Sequence, residues 1–309
     1  MIAAASDQRP TITVVVPTRD RPAQLAECLT ALANQTYPRT AFDVIVVDDG
    51  SAQPLDAVVR GFADRLIVQV IRQRGRGAAS ARNRGIAAAK ASVLAFTDDD
   101  CRADPDWLAR LAEHFQQPGE RLVGGRVVNA LDDNAFSATS QLIHDLAYQH
   151  HNAPGAQASF FATNNLAASR EGLVRLGGFN EAFTVASEDR DLCARWHESG
   201  REMTYAHDAL VSHCHRLTLT RFWTQHFRYG RGAWRFHQAL RQRGHGRFVR
   251  DLGFHARFLG RAGPPLKERR SAGAVLLLLI VWQVANLAGF IFEASASRLP
   301  SRGPSAKIS

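Results

Sequence analysis

Short apolar runs alternate with helix-like segments over the N-terminal third of the chain. The runs are rich in valine and isoleucine and have the length of buried strands; they cover residues 11–16, 43–47, 66–71 and 92–97. Apolar residues recur every three or four positions in the segments between them, which cover residues 22–34, 54–62 and 78–90. This alternation predicts an α/β fold with a mostly parallel sheet flanked by helices. Because ligands of such sheets bind beyond the carboxyl ends of the strands, the polar residues after each run are candidates for chemistry.

The composition is that of a globular protein. Of the 309 residues, 45% are apolar and 22% are charged, which excludes collagen-like and low-complexity classes. Four cysteines are too few for a disulfide framework in a chain of this length. The N-terminal residues have neither the basic start nor the apolar run of a signal peptide. We therefore expect a reducing, cytoplasmic compartment.

The balance of charge changes near residue 215. Residues 1–215 hold 21 basic and 26 acidic residues, whereas residues 216–309 hold 17 basic and 3 acidic ones. We therefore predict an acidic catalytic domain over 1–215 and an Arg-rich helical segment over 216–270. Basic segments of this kind bind nucleic acid, anionic lipid or phosphorylated substrates, and charge alone does not choose among them.

Residues 273–292 contain no charged side chain. A helix of this length spans ~30 Å, the thickness of the bilayer core. We predict a transmembrane helix over 271–292, followed by a short tail over 293–309. The alternative is a helix buried in a soluble core, with Gln283 and Asn286 on one face and bonded by protein. Basic residues are more numerous before the segment than after it, which favours a catalytic domain on the cytoplasmic side of the membrane.

Acidic residues directly follow two of the predicted strands. Asp48 and Asp49 come after the second strand, although an Asp-Asp-Gly-Ser sequence also suits an ordinary turn. Three consecutive aspartates, at positions 98–100, end the fourth strand. Adjacent carboxylates repel one another unless a cation or protons compensate, and a hard divalent cation that also touches phosphate is the usual solution. The alternative for these three is an acidic cluster before a helix.

A glycine-rich segment, residues 75–85, follows the third strand and enters a helix. Backbone N–H groups at the helix start and the guanidinium of Arg82 offer donors to a phosphate. The segment is neither a GxGxxG nor a Walker A sequence. A helix start with solvated arginines is therefore the alternative.

A third acidic group begins the helix predicted over residues 189–199. With 3.6 residues per turn, Glu188 and Asp191 share one face of this helix, and Asp189 points elsewhere. A helix-capping role is the alternative for each of the three. His213 and His215 follow a short apolar stretch further along the chain, but their spacing fits no familiar zinc motif.

Taken in order, these features resemble the family 2 glycosyltransferases, which have the GT-A fold. The resemblance covers about residues 11–216 and lies in seven ordered motifs, VVVPTRDR (14–21), VIVVDDGS (44–51), GAASARNRGI (77–86), FTDDDC (96–101), TNNLAASR (163–170), GGFNE (177–181) and SEDRDLCARW (187–196). It implies a Rossmann-like GT-A sheet. It also implies transfer of a sugar from a nucleotide diphosphate sugar, UDP-linked or otherwise, with inversion at the anomeric carbon.

The resemblance also implies a donor site at the strand ends. Asp48 or Asp49 would hold the nucleotide base, and the loop after the first strand would line the nucleotide pocket. The residues expected to bind the donor are Pro17, Thr18, Arg19, Asp48, Asp49, Arg82 and Asp98.

The DxD motif of the family corresponds to Asp98–Asp100. The resemblance places Asp98 towards the ribose and implies that Asp98 and Asp100 bind a divalent cation, Mg²⁺ or Mn²⁺. His213 would complete the metal shell, with His215 as the alternative. Asp189 matches the catalytic base of the family's ED motif, and Glu188 and Asp191 would lie on the acceptor side.

These roles agree with the chemistry of an inverting displacement. One carboxylate must take the proton of the acceptor hydroxyl, and the charge of the departing diphosphate must be neutralised. The reaction therefore needs two acidic sites, and the sequence supplies both. A glycoside hydrolase also uses paired carboxylates, but it needs no nucleotide pocket and no DxD motif.

The last third of the chain departs from the family pattern. It lacks the QxxRW motif of the processive polysaccharide synthases, so a processive polymerase is not expected. We expect a saccharide or a lipid-linked acceptor, because the basic segment would bind anionic lipid. One alternative is a non-enzymatic module that binds membrane or nucleic acid, but it leaves the ordered acids unexplained. The other is a sugar nucleotidyltransferase, whose Gly-rich loop with a lysine is missing. We expect no nucleic-acid partner.

Overall fold

A mixed eight-stranded sheet forms the centre of the molecule. The computed structural model describes residues 9–131, 133–153, 157–245 and 272–297. The strands are β1 (Ile12–Thr18), β2 (Phe42–Asp48), β3 (Val68–Arg72), β4 (Val93–Phe96), β5 (Cys101–Ala103), β6 (Arg121–Asn129), β7 (Leu166–Ser169) and β8 (Glu202–His213). The helices are α1 (Pro22–Ala33), α2 (Asp56–Arg60), α3 (Ala78–Ala88), α4 (Trp107–Glu113), α5 (Ala135–His151), α6 (Arg170–Leu176), α7 (Glu188–Glu198), α8 (Leu219–Gln242) and α9 (Ala272–Ala296). The strand order is β3-β2-β1-β4-β7-β6-β8-β5.

The first four strands run parallel, as the alternation of strands and helices predicts. β1 pairs with both β2 and β4, and β2 pairs with β3. The apolar runs form this part of the sheet because both of its faces are covered. Leu25 of α1 packs with Val14 on one face, and Ile86 of α3 packs with Val15 on the other. The helix α3 comes so close to β1 that a Cβ at Gly85 would lie 2.4 Å from a methyl carbon of Val15.

The second half of the sheet differs from the mostly parallel sheet expected from the sequence. β7 runs antiparallel to β4 and β6, and β5 runs antiparallel to β8, although β6 and β8 are parallel. The register of β6 and β8 shifts between Gly125 and Arg126. The sequence does not predict these strands because β5 has only three residues and β8 is half exposed, so neither forms a continuous apolar run. The α/β fold is confirmed, but its sheet is mixed.

Helix α9 contains the uncharged segment and packs on the domain with one side only. By length and composition it could cross a membrane. Its inner side is buried against α8 and α5 at Val275, Leu279 and Trp282, and its other side is exposed and apolar. The helices α8 and α9 approach closely, since a Cβ at Gly289 would lie 1.9 Å from the carbonyl oxygen of Phe227. The helix is therefore neither a core helix nor separate from the domain.

An ion cluster fixes the end of α9. The carboxylate of Glu293 accepts hydrogen bonds of 2.6 Å from the Nε atoms of Arg231 and Arg235 on α8. Arg235 also donates from Nη1 to the carbonyl oxygen of Ala182 at 2.9 Å and to the hydroxyl of Thr184 at 3.2 Å. The end of α9 is thus connected through α8 to the loop that precedes α7.

Part of the predicted C-terminal organisation lies outside the described residues. The Arg-rich segment expected over 216–270 is helical from Leu219 to Gln242, but residues 246–271 and 298–309 are not described. The basic residues on either side of the apolar helix, from which we inferred its orientation, are among them. The domain boundaries proposed from the sequence remain predictions.

The contact between α8 and α9 predicts opposite effects for two glycine substitutions in α9. Gly289→Ala should lower the free energy of unfolding by about 1–3 kcal/mol, because its methyl group would meet the backbone of α8. Gly273→Ala is the matched control, since a Cβ at that position meets no atom within 4 Å. It should leave stability unchanged or raise it by up to ~1 kcal/mol. Denaturant unfolding followed by circular dichroism measures both, and equal effects would contradict the close packing.

Candidate active site

The carboxyl ends of β1, β2 and β4 meet at one edge of the sheet because β1 lies between the other two strands. The loop after β1 and the aspartates after β4 are joined directly. The hydroxyl of Thr18 donates to Asp99 Oδ2 at 2.7 Å, and Arg21 Nη1 donates to Asp99 Oδ1 at 3.0 Å. Pro17 is half-buried in the same loop, and Arg19 is exposed. The pairing of strands therefore brings two distant sequence motifs together.

Asp48 and Asp49 lie buried under the adjacent strand end, and both are bonded within the protein. Asp48 Oδ1 accepts from the backbone N–H of Ser51 at 2.8 Å. Asp49 accepts from the backbone N–H groups of Arg76 and Gly77 at 2.8 and 2.9 Å, so it holds the glycine-rich loop against β2. This loop adopts a positive φ of 92° at Gly77, directly before α3. Asp49 thus shapes the loop that was expected to face the donor, and Asp48 stabilises the turn after β2.

The three aspartates after β4 are paired with two arginines. Arg82 pairs with Asp98 at 2.8 Å, and Arg21 pairs with both Asp99 and Asp100, at 3.0 and 3.1 Å. Burial raises the pKa of Asp99 to about 6, although Arg21 and Thr18 oppose this. Burial also disfavours the charged form of Asp100, but His213 and Arg21 outweigh it and lower the pKa of Asp100 to about 2. Arginines therefore supply much of the compensation that the sequence argument assigned to a metal ion.

Asp100, Cys101 and His213 form the candidate metal site among the described residues. The antiparallel pairing of β5 with β8 places Cys101 opposite His213, and His213 Nε2 lies 3.3 Å from Asp100 Oδ1. The possible ligand atoms of all three lie within 4.8 Å of one another. Burial and the nearby aspartates raise the pKa of Cys101 well above its usual value, so its thiol stays protonated. An ionised carboxylate is a ligand of Mg²⁺ and Mn²⁺, and an imidazole is a ligand of transition-metal ions, so the donor set fits a divalent cation.

Two other candidates for the metal site stand apart from this group. Asp98 is not part of it and is bonded instead to Arg82. His215 stacks on His213, with ring centroids 3.8 Å apart, but is also outside the group of ligand atoms. The geometry therefore favours Asp100 and His213 over Asp98 and His215.

Arg82 connects the aspartates after β4 to the acids of α7. Its side chain is only 4% exposed, and it donates to Asp98 and to Glu188, each at 2.8 Å. The carboxylates of Asp98 and Glu188 keep this guanidinium charged despite its burial, which by itself would lower the pKa of Arg82. The sequence analysis assigned Arg82 to the donor phosphates. In the structure it also fixes the distance between the two acidic groups.

The three acids of α7 occupy different environments. Glu188 is held by Arg82, whereas the hydrogen bond described for the carboxylate of Asp189 comes from the N–H of Arg190, at 2.7 Å. Burial and the charge of Glu188 raise the pKa of Asp189 to about 7. The turn into α7 has a positive φ of 73° at Ser187, a conformation that non-glycine residues rarely adopt. Asp189 is therefore the acid of α7 whose proton affinity suits proton transfer near neutral pH.

Asp191, which the sequence analysis predicted on the acceptor side, is buried and paired with two arginines. Its carboxylate is fully buried and accepts hydrogen bonds of 2.7 Å from Arg195 and Arg243. It is absent from the wall of the cavity that Glu188 and Asp189 line. Helical spacing cannot show that Arg243, 52 residues further along the chain, covers this position. Asp191 stabilises the junction of α7 with the end of α8.

A cavity of about 840 Å³ lies beside these acids. Its polar end is lined by Arg82, Asp98, Glu188, Asp189 and His213. Residues of α8 and α9 also line it. Apolar side chains such as Trp282, Val284, Leu287 and Phe290 alternate there with polar ones such as Gln225, Gln283 and Asn286. The remaining sequence-predicted site residues do not line it; they are Pro17, Thr18, Arg19, Asp48, Asp49, Asp100 and Asp191. The cavity thus adjoins the edge of the sheet without including it.

Neutral histidines form a further part of the cavity wall. Burial lowers the pKa of His215 to about 3, with the help of His213, and that of His226 also to about 3. Both ring nitrogens of His215 and the Nδ1 of His226 are buried without a hydrogen-bond partner among the described residues. A neutral imidazole offers one donor and one acceptor, so these rings suit hydroxyl groups of a bound molecule.

The sequence analysis did not identify three components of this site. Arg21 stands within a quoted motif, and its adjacency to the aspartates could have been inferred from β1 and β4 being neighbours. His226 is an isolated histidine in α8, and no local pattern marks it as part of a cavity. The participation of α9 follows from long-range packing that its apolar sequence does not show.

Comparisons with known proteins agree with this architecture. The sequence profile of the family Glycosyl transferase family 2 matches residues 13–176. The pre-mycofactocin glycosyltransferase of Mycobacterium tuberculosis is 33% identical over 215 residues, covering 67% of this chain and 43% of that protein. The validoxylamine A glucosyltransferase of Streptomyces hygroscopicus subsp. jinggangensis is 30% identical over 66% of this chain and 56% of its own length. This chain thus spans about half the length of these two relatives.

Two solved structures share the fold. One is the mannosyltransferase PcManGT from Pyrobaculum calidifontis in complex with GDP-Man and Mn²⁺, with a TM-score of 0.65, 21% identity and coverage of 94% of this chain and 87% of that one. The other is GalNAc-T7 with UDP, GalNAc and Mn²⁺, with a TM-score of 0.55, 17% identity and coverage of 68% and 44%. The family profile covers more than half of the chain, and these structures share its architecture. The chain belongs to the family 2 glycosyltransferases and has the GT-A fold.

Proposed function

We propose that this chain transfers a sugar from a nucleotide diphosphate sugar to a hydroxyl group of an acceptor in the cavity, with inversion at the anomeric carbon. The observation that carries the proposal is the cavity itself. It joins Asp98 and Arg82, beside the strand ends, to Asp189, whose pKa is raised to about 7. A carboxylate of this kind can accept a proton at neutral pH, and it faces the space in which an acceptor would bind.

The donor site is proposed at the edge of the sheet next to the polar end of the cavity. Thr18 and Arg19 follow β1, and Asp48 and Asp49 follow β2, so a nucleotide that lies across these strand ends would place its diphosphate towards the aspartates after β4. PcManGT binds GDP-Man, and GalNAc-T7 binds UDP and GalNAc. Both support a nucleotide sugar as the donor class.

Asp100 and His213 are the residues proposed to hold a divalent cation. Their donor atoms lie 3.3 Å apart, and the two structural neighbours were both solved with Mn²⁺. When bound, such a cation neutralises the charge of the departing diphosphate. Arg21 contacts Asp100 from the exposed side, and can add a second positive charge to the same region.

Asp189 is proposed as the base of the displacement. It takes the proton as the acceptor oxygen forms a bond to the anomeric carbon, while the bond from that carbon to the diphosphate oxygen breaks on the opposite face. Glu188 is less suited to this step because Arg82 holds its carboxylate at 2.8 Å. His215 and His226 would orient the acceptor through its hydroxyl groups.

The proposed location is the cytoplasmic face of a membrane, reached through α9. The exposed apolar side of this helix supports membrane association, and nucleotide sugars are expected on the cytoplasmic side. A saccharide and a lipid-linked molecule are both acceptors that such a location would supply.

Replacement of the base tests the mechanism. Asp189→Asn should lower kcat ~10²–10⁴-fold, as expected when general base catalysis is lost, and leave the affinity for the donor nearly unchanged. Turnover is measured beside donor binding by calorimetry. The control is Asp191→Asn, which removes a buried ion pair and should lower thermal stability while the folded fraction keeps its kcat. Retention of more than about a tenth of the wild-type turnover by Asp189→Asn would contradict the assignment.

The pH dependence of turnover is a second test of Asp189 as the base. A base must be unprotonated to act, so kcat should rise with pH through about 7, the pKa of Asp189, and level off above it. The residual activity of Asp189→Asn should lack this rise. If the rise persists in the variant, another group such as Asp99, whose pKa is raised to about 6, is responsible.

Removal of the divalent cation tests the roles proposed for Asp100 and His213. Excess EDTA should abolish turnover, and added Mn²⁺ should restore it. Asp100→Ala and His213→Ala should each weaken calorimetric binding of Mn²⁺ and of nucleoside diphosphate by at least tenfold. Asp208→Ala is the matched control, because this aspartate lies on β8 with His213 but is exposed and pairs only loosely with Arg110, at 3.6 Å. Full turnover in EDTA would exclude the cation.

A further inference from the structure

Helix α9 carries a continuous apolar stripe on its exposed side. This stripe, called the outer face below, consists of Leu276, Ile280, Val284, Leu287 and Ile291, which are between 47% and 60% exposed. Their spacing of three and four residues places them on one side of the helix. No charged residue interrupts the helix before Glu293. An exposed apolar surface of this extent marks a contact with another protein or with a membrane.

The neighbouring helix runs alongside α9 in the same direction. His226 of α8 lies against Trp282, with ring centroids 6.4 Å apart, and Trp234, two turns later, lies against Phe290 at 5.2 Å. The close approach at Gly289 fixes the two helices together between these contacts. The two helices must therefore take the same orientation relative to a membrane.

The arginines of α8 are incompatible with a helix pair that crosses a bilayer. This helix carries Arg221, Arg228 and Arg241 as exposed side chains, in addition to the two that bind Glu293. If α9 stood perpendicular to the membrane, Arg228 in the middle of α8 would lie in the hydrocarbon core, where an arginine is costly. A helix that lies parallel to the membrane keeps its apolar face in the lipid and leaves the arginines near the headgroups.

The cavity reaches the outer face of α9. Val284 and Leu287 belong to both surfaces, since they line the cavity and are 50% and 60% exposed. Trp282 and Phe290 extend the apolar wall inward towards α8. The opposite end holds Asp98 and Asp189. One continuous space therefore leads from the exposed apolar stripe to the acidic end of the site.

We propose that α9 lies flat on a bilayer surface and that the acceptor is an amphiphile whose apolar chain enters the cavity beside Val284 and Leu287. The inference rests on the proposed function, and it narrows the acceptor to a lipid-like class. Its hydroxyl-bearing head lies near Asp189, His215 and His226, which line the same cavity, and its chain leads back to the lipid in which the outer face is immersed. The bilayer is the occupant of that face, because α9 has the length and apolar composition of a membrane segment and carries no charged side chain before Glu293.

Vesicle binding tests the position of the helix. The full chain should float with vesicles of phosphatidylcholine and phosphatidylglycerol and be released by alkaline carbonate, which does not extract spanning helices. Ile280→Glu, on the outer face but outside the cavity, should reduce the bound fraction at least tenfold. The control Val174→Glu, at an equally exposed apolar residue on α6, should bind as the wild type does.

Three results would overturn the proposal that α9 lies flat on the bilayer. Retention after carbonate would mean that the helix crosses the bilayer. Equal binding by Ile280→Glu and Val174→Glu would mean that the outer face does not contact lipid. A dimer in light scattering that dissociates in Ile280→Glu would identify a second copy of the chain as the occupant.

Binding of simple glycosides tests the path of the apolar chain. Octyl β-glucoside, below its critical micelle concentration, should bind at least tenfold more tightly than methyl β-glucoside in calorimetry. Leu287→Gln should remove this preference, whereas Leu276→Gln, on the outer face but not in the cavity, should keep it. Equal affinities for the two glycosides would overturn the proposal. Hydrolysis of the nucleotide sugar is measured separately. Failure to hydrolyse it would contradict the proposed function but not the proposed path of the apolar chain through the cavity.

Discussion

The buried guanidinium of Arg82 is the contact on which the geometry of the site depends. It holds Asp98, from the edge of the sheet, and Glu188, from the start of α7, at 2.8 Å each. Removal of this buried charge would leave both carboxylates without their arginine partner. The aspartates after β4 and the acids of α7 are therefore not independent. By occupying Glu188, Arg82 also leaves Asp189 as the acid of α7 that faces the cavity without an arginine on its carboxylate among the described residues.

The sequence predicts those parts of the fold that local patterns determine. The parallel strands β1, β2 and β4 can be predicted because they are buried on both faces, which requires runs such as Val14–Val16 and Val44–Val47. The strands of the antiparallel half cannot be predicted from the sequence pattern, because β5 has three residues and β8 mixes exposed and buried positions. This half nevertheless brings His213 to Asp100. Motif resemblance identified that pair of residues, and only strand pairing explains why they are neighbours.

The same limit applies to the acids of α7. Helical periodicity separates Asp189 from Glu188 and Asp191 but cannot show which of them faces the cavity, because that depends on arginines distant in sequence. Arg243 buries Asp191, and Arg82 engages Glu188. His226 has no sequence signal of its own, because an isolated histidine in a helix is equally compatible with the core and with the surface. Each of these positions is determined by packing between elements.

The link from Glu293 through Arg235 to the loop at Ala182 and Thr184 has a consequence for the preparation of this protein. A shortened chain that ends before residue 272 would be the usual choice for a more soluble sample. It would leave two arginines of α8 without their carboxylate and open one side of the cavity to water. Such a sample would lack one wall of the cavity, so its affinity for molecules that enter the cavity would not represent that of the intact chain. Solubilisation of the intact chain in a mild detergent or a lipid nanodisc preserves that wall.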